Sequence, residues 1–166
     1  MAESRRTVKH TPSHRSWRVA KEEGDMKKDA LQMLLDRMEI TDTSIRYGTG
    51  IDLRDRQLYR SCFTEEIEFD FSSMGMGEPR MMPADEWVDQ ALMIVSNYQS
   101  TQHIITNHVI TVEDDEAICT AYLQARHFSP DGMFTVGGYY TNTLVRTPEG
   151  WKIKKLKLTT TWTKSS

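Results

Sequence analysis

The stretch TQHIITNHVITVEDDEAICTAYLQARH, residues 101–127, predicts two long β-strands joined by an acidic turn. In the first strand His103, Ile105 and Asn107 share a parity, so an imidazole and an amide lie on the same sheet face as an apolar side chain. A three-residue loop in the acidic turn would place His103 directly opposite His127 in the second strand. We therefore expect two neighbouring histidines at one end of an otherwise apolar face.

Two further turns extend this hairpin into a meander. The segments SPDG, residues 129–132, and TPEG, residues 147–150, place proline second and glycine fourth, which is the signature of a type I turn. Pairing the two ends of the first turn adds to the inner face Phe134, Val136, Gly138, Tyr140 and Asn142. Leu123 then lies opposite Gly138, where the missing side chain would leave space for a cavity.

The N-terminal half of the chain predicts helices rather than long strands. Residues 27–47 have the spacing of an amphipathic helix, with an inner face of Leu31, Leu34, Leu35, Met38, Ile45 and Tyr47, and GTG at 48–50 is expected to loosen or end it. A short helix at 53–62, a half-buried strand at 67–71 and a third helix that begins at Pro83 follow. Three helices followed by a meander predict an α+β domain, with a curled antiparallel sheet wrapped on the helices.

Composition and charge are those of an ordinary globular domain. The chain has 166 residues, of which 38% are hydrophobic and 27% charged. The net charge of -3 gives no reason to expect nucleic acid as a partner. No apolar run is long enough to span a membrane or to serve as a secretory leader. Two distant cysteines, Cys62 and Cys119, are typical of free thiols in a reducing compartment, so we expect a cytoplasmic location.

The first residues of the chain differ from the rest in charge. Residues 1–20 carry a net charge of about +4, which is typical of a disordered tail and would also suit an arm that touches an anionic surface. The purine-rich codons implied by KEEG, residues 21–24, resemble a bacterial ribosome-binding site upstream of Met26. We therefore expect residues 1–25 to be a disordered extension that native translation omits, and residues 26–166 to form the domain.

Three segments resemble one known superfamily. They are FTEEIEFDF at 63–71, the quoted stretch at 101–127, and GGYYTNTLVRTPEGWKIKKLKL at 137–158. Over about residues 30–162 the chain resembles the SnoaL-like, nuclear transport factor 2-like superfamily. The resemblance implies a cone-shaped α+β barrel, with three N-terminal helices packed in a strongly curved mixed or antiparallel sheet. Members are commonly dimers or trimers, so a homodimer or homotrimer is expected.

Within the superfamily, the chain is most similar in its functional residues to scytalone dehydratase and hexachlorocyclohexane dehydrochlorinase. Both use an aspartate just after the first helix to orient a histidine that acts as general base. The resemblance places Asp52 and His103 in these roles, and it makes His127 a second catalytic histidine in the pocket. Similarity around GGYYTN, residues 137–142, supports roles for Tyr140 and Asn142.

One departure argues against scytalone itself as the substrate. Scytalone dehydratase holds a water on the substrate carbonyl with two tyrosines, and the corresponding positions here are Ile51 and Phe71. Tyr47 or Tyr140 could supply a phenol instead. His108 is expected to face the other side of the sheet, as a structural residue.

These observations predict a cofactor-free acid–base enzyme that acts on a small hydrophobic molecule, cyclic or aromatic, as a dehydratase or other lyase or as an isomerase. The expected substrate-binding residues are Tyr47, Phe69, Phe71, Trp87, Asn107, Leu123, Phe134, Tyr140 and Asn142. No metal is expected, because His103 and His127 lack the spacing of paired helical ligands. Two alternatives stay open, a non-catalytic small-molecule-binding protein and the small subunit of a ring-hydroxylating dioxygenase.

Overall fold

The computed structural model describes the backbone of residues 14–166 and the side chains of Glu22 and residues 26–166. The described part of the chain divides into two units, with the boundary between Leu35 and Asp36. The predictions for residues 1–13 lie outside the described residues, and a translation start at Met26 stays a prediction. None of the described helices is long and apolar enough to cross a membrane.

Three α-helices and six β-strands make up the described part of the chain. The helices are α1 His14–Leu53, α2 Arg56–Arg60 and α3 Ala84–Ser96, and a 3-10 turn covers Ser72–Met74. The strands are β1 Phe63–Asp70, β2 Arg80–Pro83, β3 Ser100–Glu113, β4 Glu116–Ser129, β5 Gly132–Thr147 and β6 Gly150–Ser165. They form one sheet in the order β2-β1-β6-β5-β4-β3, in which β1 and β6 are parallel and the other pairs antiparallel. The predicted α+β fold with a mixed sheet is confirmed, and the sheet is open because β2 and β3 lie at its edges.

Helix α1 is longer than predicted, and of its predicted inner face Tyr47 is buried while the other residues are exposed. In the larger unit its buried side is formed by Asp36, Ile40, Thr43, Ser44, Tyr47 and Ile51. Met38 and Ile45, which apolar spacing placed inside, are 63% and 55% exposed. In the first unit Leu31, Leu34 and Leu35 are exposed as well. Spacing failed because polar residues take core positions where their hydrogen bonds are satisfied, as the Thr43 hydroxyl does by donating to the Trp151 carbonyl oxygen at 2.9 Å.

The glycines that were expected to loosen or end α1 lie inside it and let other elements approach. A Cβ on Gly50 would lie 2.7 Å from the backbone nitrogen of Tyr59, and one on Gly48 would lie 3.4 Å from the carbonyl oxygen of His103. The first distance is too short for a real contact, so α2 packs here only against a glycine. These approaches bring α2 and β3 to the last turns of α1, where Asp52 lies.

The register of β4 against β5 is the predicted one. Ser129 pairs with Gly132, and Leu123 pairs with Gly138. The inner-face residues Val136, Tyr140 and Asn142 are accordingly buried. This part of the sheet is fixed by a tight turn, in which the sequence places a proline second and a glycine fourth.

The register of β3 against β4 is two residues away from the predicted one. The turn holds two residues rather than three, with Asp114 at a φ of 55°. A bulge between Thr106 and Val109 adds a second shift of one residue. Beyond the bulge, the residues of β3 that face inward are those that were predicted to face outward. His108, which was predicted to face away from the inner side of the sheet, is therefore half-buried on the same side as the buried Ile110.

The predicted direct pairing of the two histidines is therefore wrong, but their common face is right. His103 lies opposite Ala125, and His127 lies opposite Thr101. A shift by one residue would have moved a histidine to the other face, whereas two such shifts restore the original side. The histidines are diagonal neighbours, with ring centroids 5.7 Å apart.

A buried ion pair ties α1 to β5 and β6. The Asp36 carboxylate accepts hydrogen bonds from both terminal nitrogens of Arg146, at 2.6 and 3.0 Å, and from the Trp151 indole nitrogen at 3.1 Å. Arg146 also lies over the Trp151 ring at 4.5 Å and donates to Asp115 at 2.9 Å. Because Asp36 is only 4% exposed, its charge depends on these donors.

Replacing Arg146 by methionine should lower the free energy of unfolding by about 2–4 kcal/mol, because the Asp36 carboxylate would stay buried without its bidentate partner. Urea unfolding followed by circular dichroism measures the change. The matched control is Arg56→Met, since the Arg56 ion pairs with Asp85 and Asp89 are exposed and should contribute little. Equal unfolding midpoints for the two variants would contradict this role of Arg146.

Candidate active site

The Asp52 carboxylate lies in the last turn of α1 and is held by the beginning of β3. The Nδ1 atom of His103 lies 2.7 Å from Asp52 Oδ1, and the His103 backbone nitrogen donates to Oδ2 at 2.6 Å. The Thr101 hydroxyl donates to Oδ1 at 2.8 Å. A carboxylate is unfavourable at the negative end of a helix dipole, so these three donors are what holds it there. Thr101, two residues before His103 on the same strand face, was missing from the sequence prediction.

The environment of Asp52 keeps it ionised. Burial by itself would raise the pKa of Asp52, but the hydrogen bonds and positive charge of His103, together with the Thr101 hydroxyl, lower that pKa overall. An ionised carboxylate can only accept a hydrogen bond, so the His103 nitrogen beside it carries a proton. The neutral His103 tautomer is therefore the one with its proton on Nδ1. The other ring nitrogen, Nε2, is then left as an acceptor.

His103 lies in the wall of an apolar cavity with a volume of about 100 Å³. Five of the residues predicted to bind substrate line it: Tyr47, Phe71, Trp87, Leu123 and Tyr140. Ile51, at a position that the resemblance places in the pocket, also lines it, as do Met74 and Met76. Two further lining residues that sequence reasoning missed are Tyr59 and Leu158, which come from α2 and β6, elements that no local sequence pattern links. The cavity therefore joins one oriented imidazole to a largely apolar interior.

Four residues predicted to bind substrate are not brought to the cavity wall. Asn107 is exposed in the β3 bulge, with a φ of 56°. Asn142 is buried and accepts a hydrogen bond from the Lys157 backbone nitrogen at 3.3 Å. Phe69 stacks behind the wall, with ring centroids 4.6 Å from Phe71 and 4.4 Å from Trp87.

The fourth of these residues, Phe134, packs on His127 rather than on the cavity, with ring centroids 5.9 Å apart. His127 itself lines the cavity. Its Nδ1 atom is buried without a hydrogen-bond partner among the described residues. Burial and the nearby charge of His103 lower the pKa of His127, so it is neutral at pH 7. The cavity wall thus contains a second imidazole, one whose Nδ1 atom is itself buried.

Three tyrosines form a polar cluster inside the same cavity. The hydroxyls of Tyr47 and Tyr140 are hydrogen-bonded at 3.2 Å. The Trp87 indole nitrogen donates to the Tyr59 hydroxyl at 3.1 Å. Burial raises the pKa of all three phenols well above the usual value, so each keeps its proton at neutral pH.

Among the described residues, no group of three or more His, Cys, Asp or Glu side chains could hold a metal ion. The expected absence of a metal stays a prediction. The roles assigned to Asp52, His103 and His127 are likewise predictions, but the structure does bring these three side chains to one place.

The lowered pKa of His127 predicts how stability depends on pH. Just below the ordinary histidine pKa of about 6.5 the unfolded chain binds a proton that the folded protein resists, so the free energy of unfolding falls as pH falls. In His127→Gln this part of the decrease should be absent. Urea unfolding at a series of pH values from about 7 to about 5 measures it. Parallel curves for wild type and variant would contradict the assignment. Asp52 does not interfere, because its lowered pKa changes stability only at lower pH.

Comparison with known proteins identifies the family. The model of the SnoaL-like domain matches residues 32–157. The Mycobacterium tuberculosis protein Rv2910c, whose name states no function, is 27% identical over 125 residues, which is 71% of this chain and 80% of that protein. The family model thus covers most of the helices and of the sheet, and it includes Asp52, Thr101, His103, His127 and Tyr140.

Solved structures share the fold. The Kfla4162 protein from Kribbella flavida is 29% identical with a TM-score of 0.77, over 80% of this chain and 95% of that one. A candidate scytalone dehydratase from Novosphingobium aromaticivorans is 22% identical with a TM-score of 0.70, over 79% and 87%. A type 2 hexachlorocyclohexane dehydrochlorinase, LinA, is 20% identical with a TM-score of 0.71, over 82% and 93%. The chain belongs to the SnoaL-like domain family.

Proposed function

We propose that this protein is an acid–base enzyme that removes a proton from carbon in a small hydrophobic substrate, cyclic or aromatic. The products would be those of a dehydration, another β-elimination or an isomerisation. The observation that carries the proposal is the Asp52 carboxylate, which orients His103 through Nδ1 at 2.7 Å in the wall of an apolar cavity. A binding protein would need the cavity but would have no use for an oriented imidazole.

In the proposed mechanism His103 is the general base. Its Nε2 atom takes a proton from a carbon next to an activating group, and the ring becomes an imidazolium. Asp52, already ionised, stabilises that positive charge and keeps the ring from turning. Thr101 and the His103 backbone nitrogen hold the carboxylate in place, so little reorganisation accompanies the reaction.

The second half of the reaction needs a group that meets the leaving group or the developing negative charge. Of the polar side chains in the cavity wall, His127 and Tyr140 are the ones proposed for this step. Tyr140 keeps its phenolic proton at neutral pH. General acid–base help of this kind contributes about 10²–10⁴-fold per group, and the positioning of the substrate contributes further.

The reaction class is supported by the structural neighbours. Scytalone dehydratase and hexachlorocyclohexane dehydrochlorinase are named for the loss of water and of hydrogen chloride, which are both eliminations. Two residues of the cavity wall, Ile51 and Phe71, are apolar. The resemblance places them at positions where scytalone dehydratase has tyrosines. We therefore propose an elimination or isomerisation on a different substrate. Self-association as a homodimer or homotrimer and a cytoplasmic location stay predictions.

Proton abstraction can be tested before the natural substrate is known. Cyclohexanone in heavy water should acquire deuterium next to its carbonyl group in the presence of the protein, and mass spectrometry measures the rate. His103→Gln should slow the protein-dependent exchange by about 10²-fold or more, because the base is lost. Asp52→Asn should also slow it, because the ring loses its orienting anion.

The matched control for this experiment is His108→Gln, which removes a half-buried histidine of the same strand that does not line the cavity. Its exchange rate should equal that of the wild type. Exchange that persists unchanged in His103→Gln would show that the assigned base is wrong.

A further inference from the structure

We propose that Arg54 is a positioning residue that holds the Tyr98 ring against His127 and so fixes the second imidazole of the cavity in place. Arg54 does not line the cavity. It acts from outside, through the segment that follows α3. The inference rests on the proposed function, which uses His127 in the second half of the reaction.

The backbone of Arg54 closes the end of α1. Arg54 directly follows the helix and has a left-handed backbone with a φ of 56°. Its backbone nitrogen donates to the Ile51 carbonyl oxygen at 3.2 Å, and that of Asp55 donates to the Gly50 carbonyl oxygen at 2.9 Å. This pair of hydrogen bonds is a Schellman motif, whose left-handed position glycine usually occupies because other residues are strained there. An arginine at this position points to a use for its side chain.

The Arg54 side chain binds the end of α3. Its Nη2 atom donates to the carbonyl oxygens of Val95, at 3.1 Å, and of Tyr98, at 2.8 Å. The last carbonyl groups of a helix have no partner within the helix and form the negative end of its dipole, so a guanidinium group is favourable there. Arg54 therefore joins the end of α1, two residues after Asp52, to the segment that follows α3.

That segment places the Tyr98 ring on His127. The two ring centroids are 4.8 Å apart. The backbone nitrogen of the next residue, Gln99, donates to the Phe128 carbonyl oxygen at 2.8 Å, which fastens the segment to β4 beside His127. Because Tyr98 does not line the cavity, it supports the imidazole without taking space from a substrate.

Tyr98 is the part of this enclosure that depends on an added contact. The other rings around His127 are His103, at 5.7 Å, and Phe134, at 5.9 Å, and both belong to strands of the sheet. Tyr98 lies between α3 and β3, outside any helix or strand. Its position therefore relies on the bond from Arg54 to its carbonyl group and on the bond made by Gln99.

The enclosure matters for the chemistry of His127. A group that meets a leaving group or a developing charge must be held within hydrogen-bond reach of it. Burial is the main cause that lowers the pKa of His127, and the charge of His103 adds to it. The Asp52 charge and a backbone hydrogen bond to Phe134 act in the opposite direction. If Tyr98 is released, water reaches the imidazole and this pKa should rise.

The test measures the side-chain pKa of His127 in the full-length protein by heteronuclear NMR. Arg54→Gly removes the guanidinium group and supplies the residue that the left-handed position favours, so α1 should end as before. The pKa of His127 should rise toward the ordinary value of about 6.5, because the ring loses its cover. The Nδ1 proton of His103 should keep its wild-type signal, because Asp52 stays in place.

The matched control is Arg56→Met. It removes an exposed cation that binds the first half of α3, through Asp85 and Asp89, and not its end. The pKa of His127 should equal that of the wild type.

Tyr98→Ala separates support by contact from an effect of charge. It removes the ring and keeps the backbone carbonyl group that Arg54 binds, and it should raise the pKa of His127 by itself. In the double variant Arg54→Gly/Tyr98→Ala the pKa should rise no further, because both changes break one contact. An arginine that acted only through its charge would raise this pKa equally with and without the ring.

Two outcomes would overturn the proposal. One is an unchanged His127 pKa in Arg54→Gly, and the other is a full sum of the two single shifts in the double variant. Failure of the acid–base function is seen separately in the deuterium exchange. If exchange persists in His103→Gln while Arg54→Gly raises the pKa of His127, the general base is wrong and the role of Arg54 stands.

Discussion

The contact between Asp52 and the first residues of β3 is the interaction on which the candidate site depends. A carboxylate at the end of a long helix meets a backbone nitrogen, a threonine hydroxyl and an imidazole, all from residues 101–103. This arrangement is possible because Gly48 and Gly50 let β3 and α2 approach the last turns of α1. The helix end, the strand and the His103 side chain are therefore positioned by one local constraint.

The positions of the other site residues depend on which side of the sheet faces this contact. His103 and His127 share an inner face that also carries Tyr140, and α3 supplies Trp87 from across the cavity. The interior is apolar except for a few side chains that point at one another or lack a partner. In such surroundings each unfilled hydrogen bond has a large energetic weight, so a ligand that satisfies it gains both affinity and orientation.

Much of this arrangement could be predicted from the sequence, and the failures have physical reasons. The β4–β5 register was predictable because a proline and a glycine mark the turn. The β3–β4 register was not predictable, for two reasons. Asp114 adopts a left-handed conformation that permits a shorter turn, and no residue type in the sequence indicates the bulge at Asn107. The common face of His103 and His127 was nevertheless predicted correctly, since the two shifts cancel in parity.

The buried face of α1 was mispredicted for a different reason. Apolar spacing favours Met38 and Ile45, whereas the protein buries Asp36 and Thr43 with their hydrogen bonds satisfied and leaves the apolar side chains exposed. Satisfaction of this kind depends on Arg146 and Trp151, more than 100 positions further along the chain. The cavity lining is equally non-local, so the resemblance identified Asp52, His103, His127 and Tyr140 but not Tyr59 or Leu158.

The central claim is that Asp52 orients His103 with its proton on Nδ1 and with Nε2 available to a substrate. Heteronuclear NMR of the histidine side chains tests this directly, because the nitrogen shifts distinguish the two neutral tautomers. The account predicts a strongly hydrogen-bonded proton on Nδ1 of His103 in the wild type and the loss of that signature in Asp52→Asn. A neutral His103 with its proton on Nε2, or a spectrum that Asp52→Asn leaves unchanged, would contradict it.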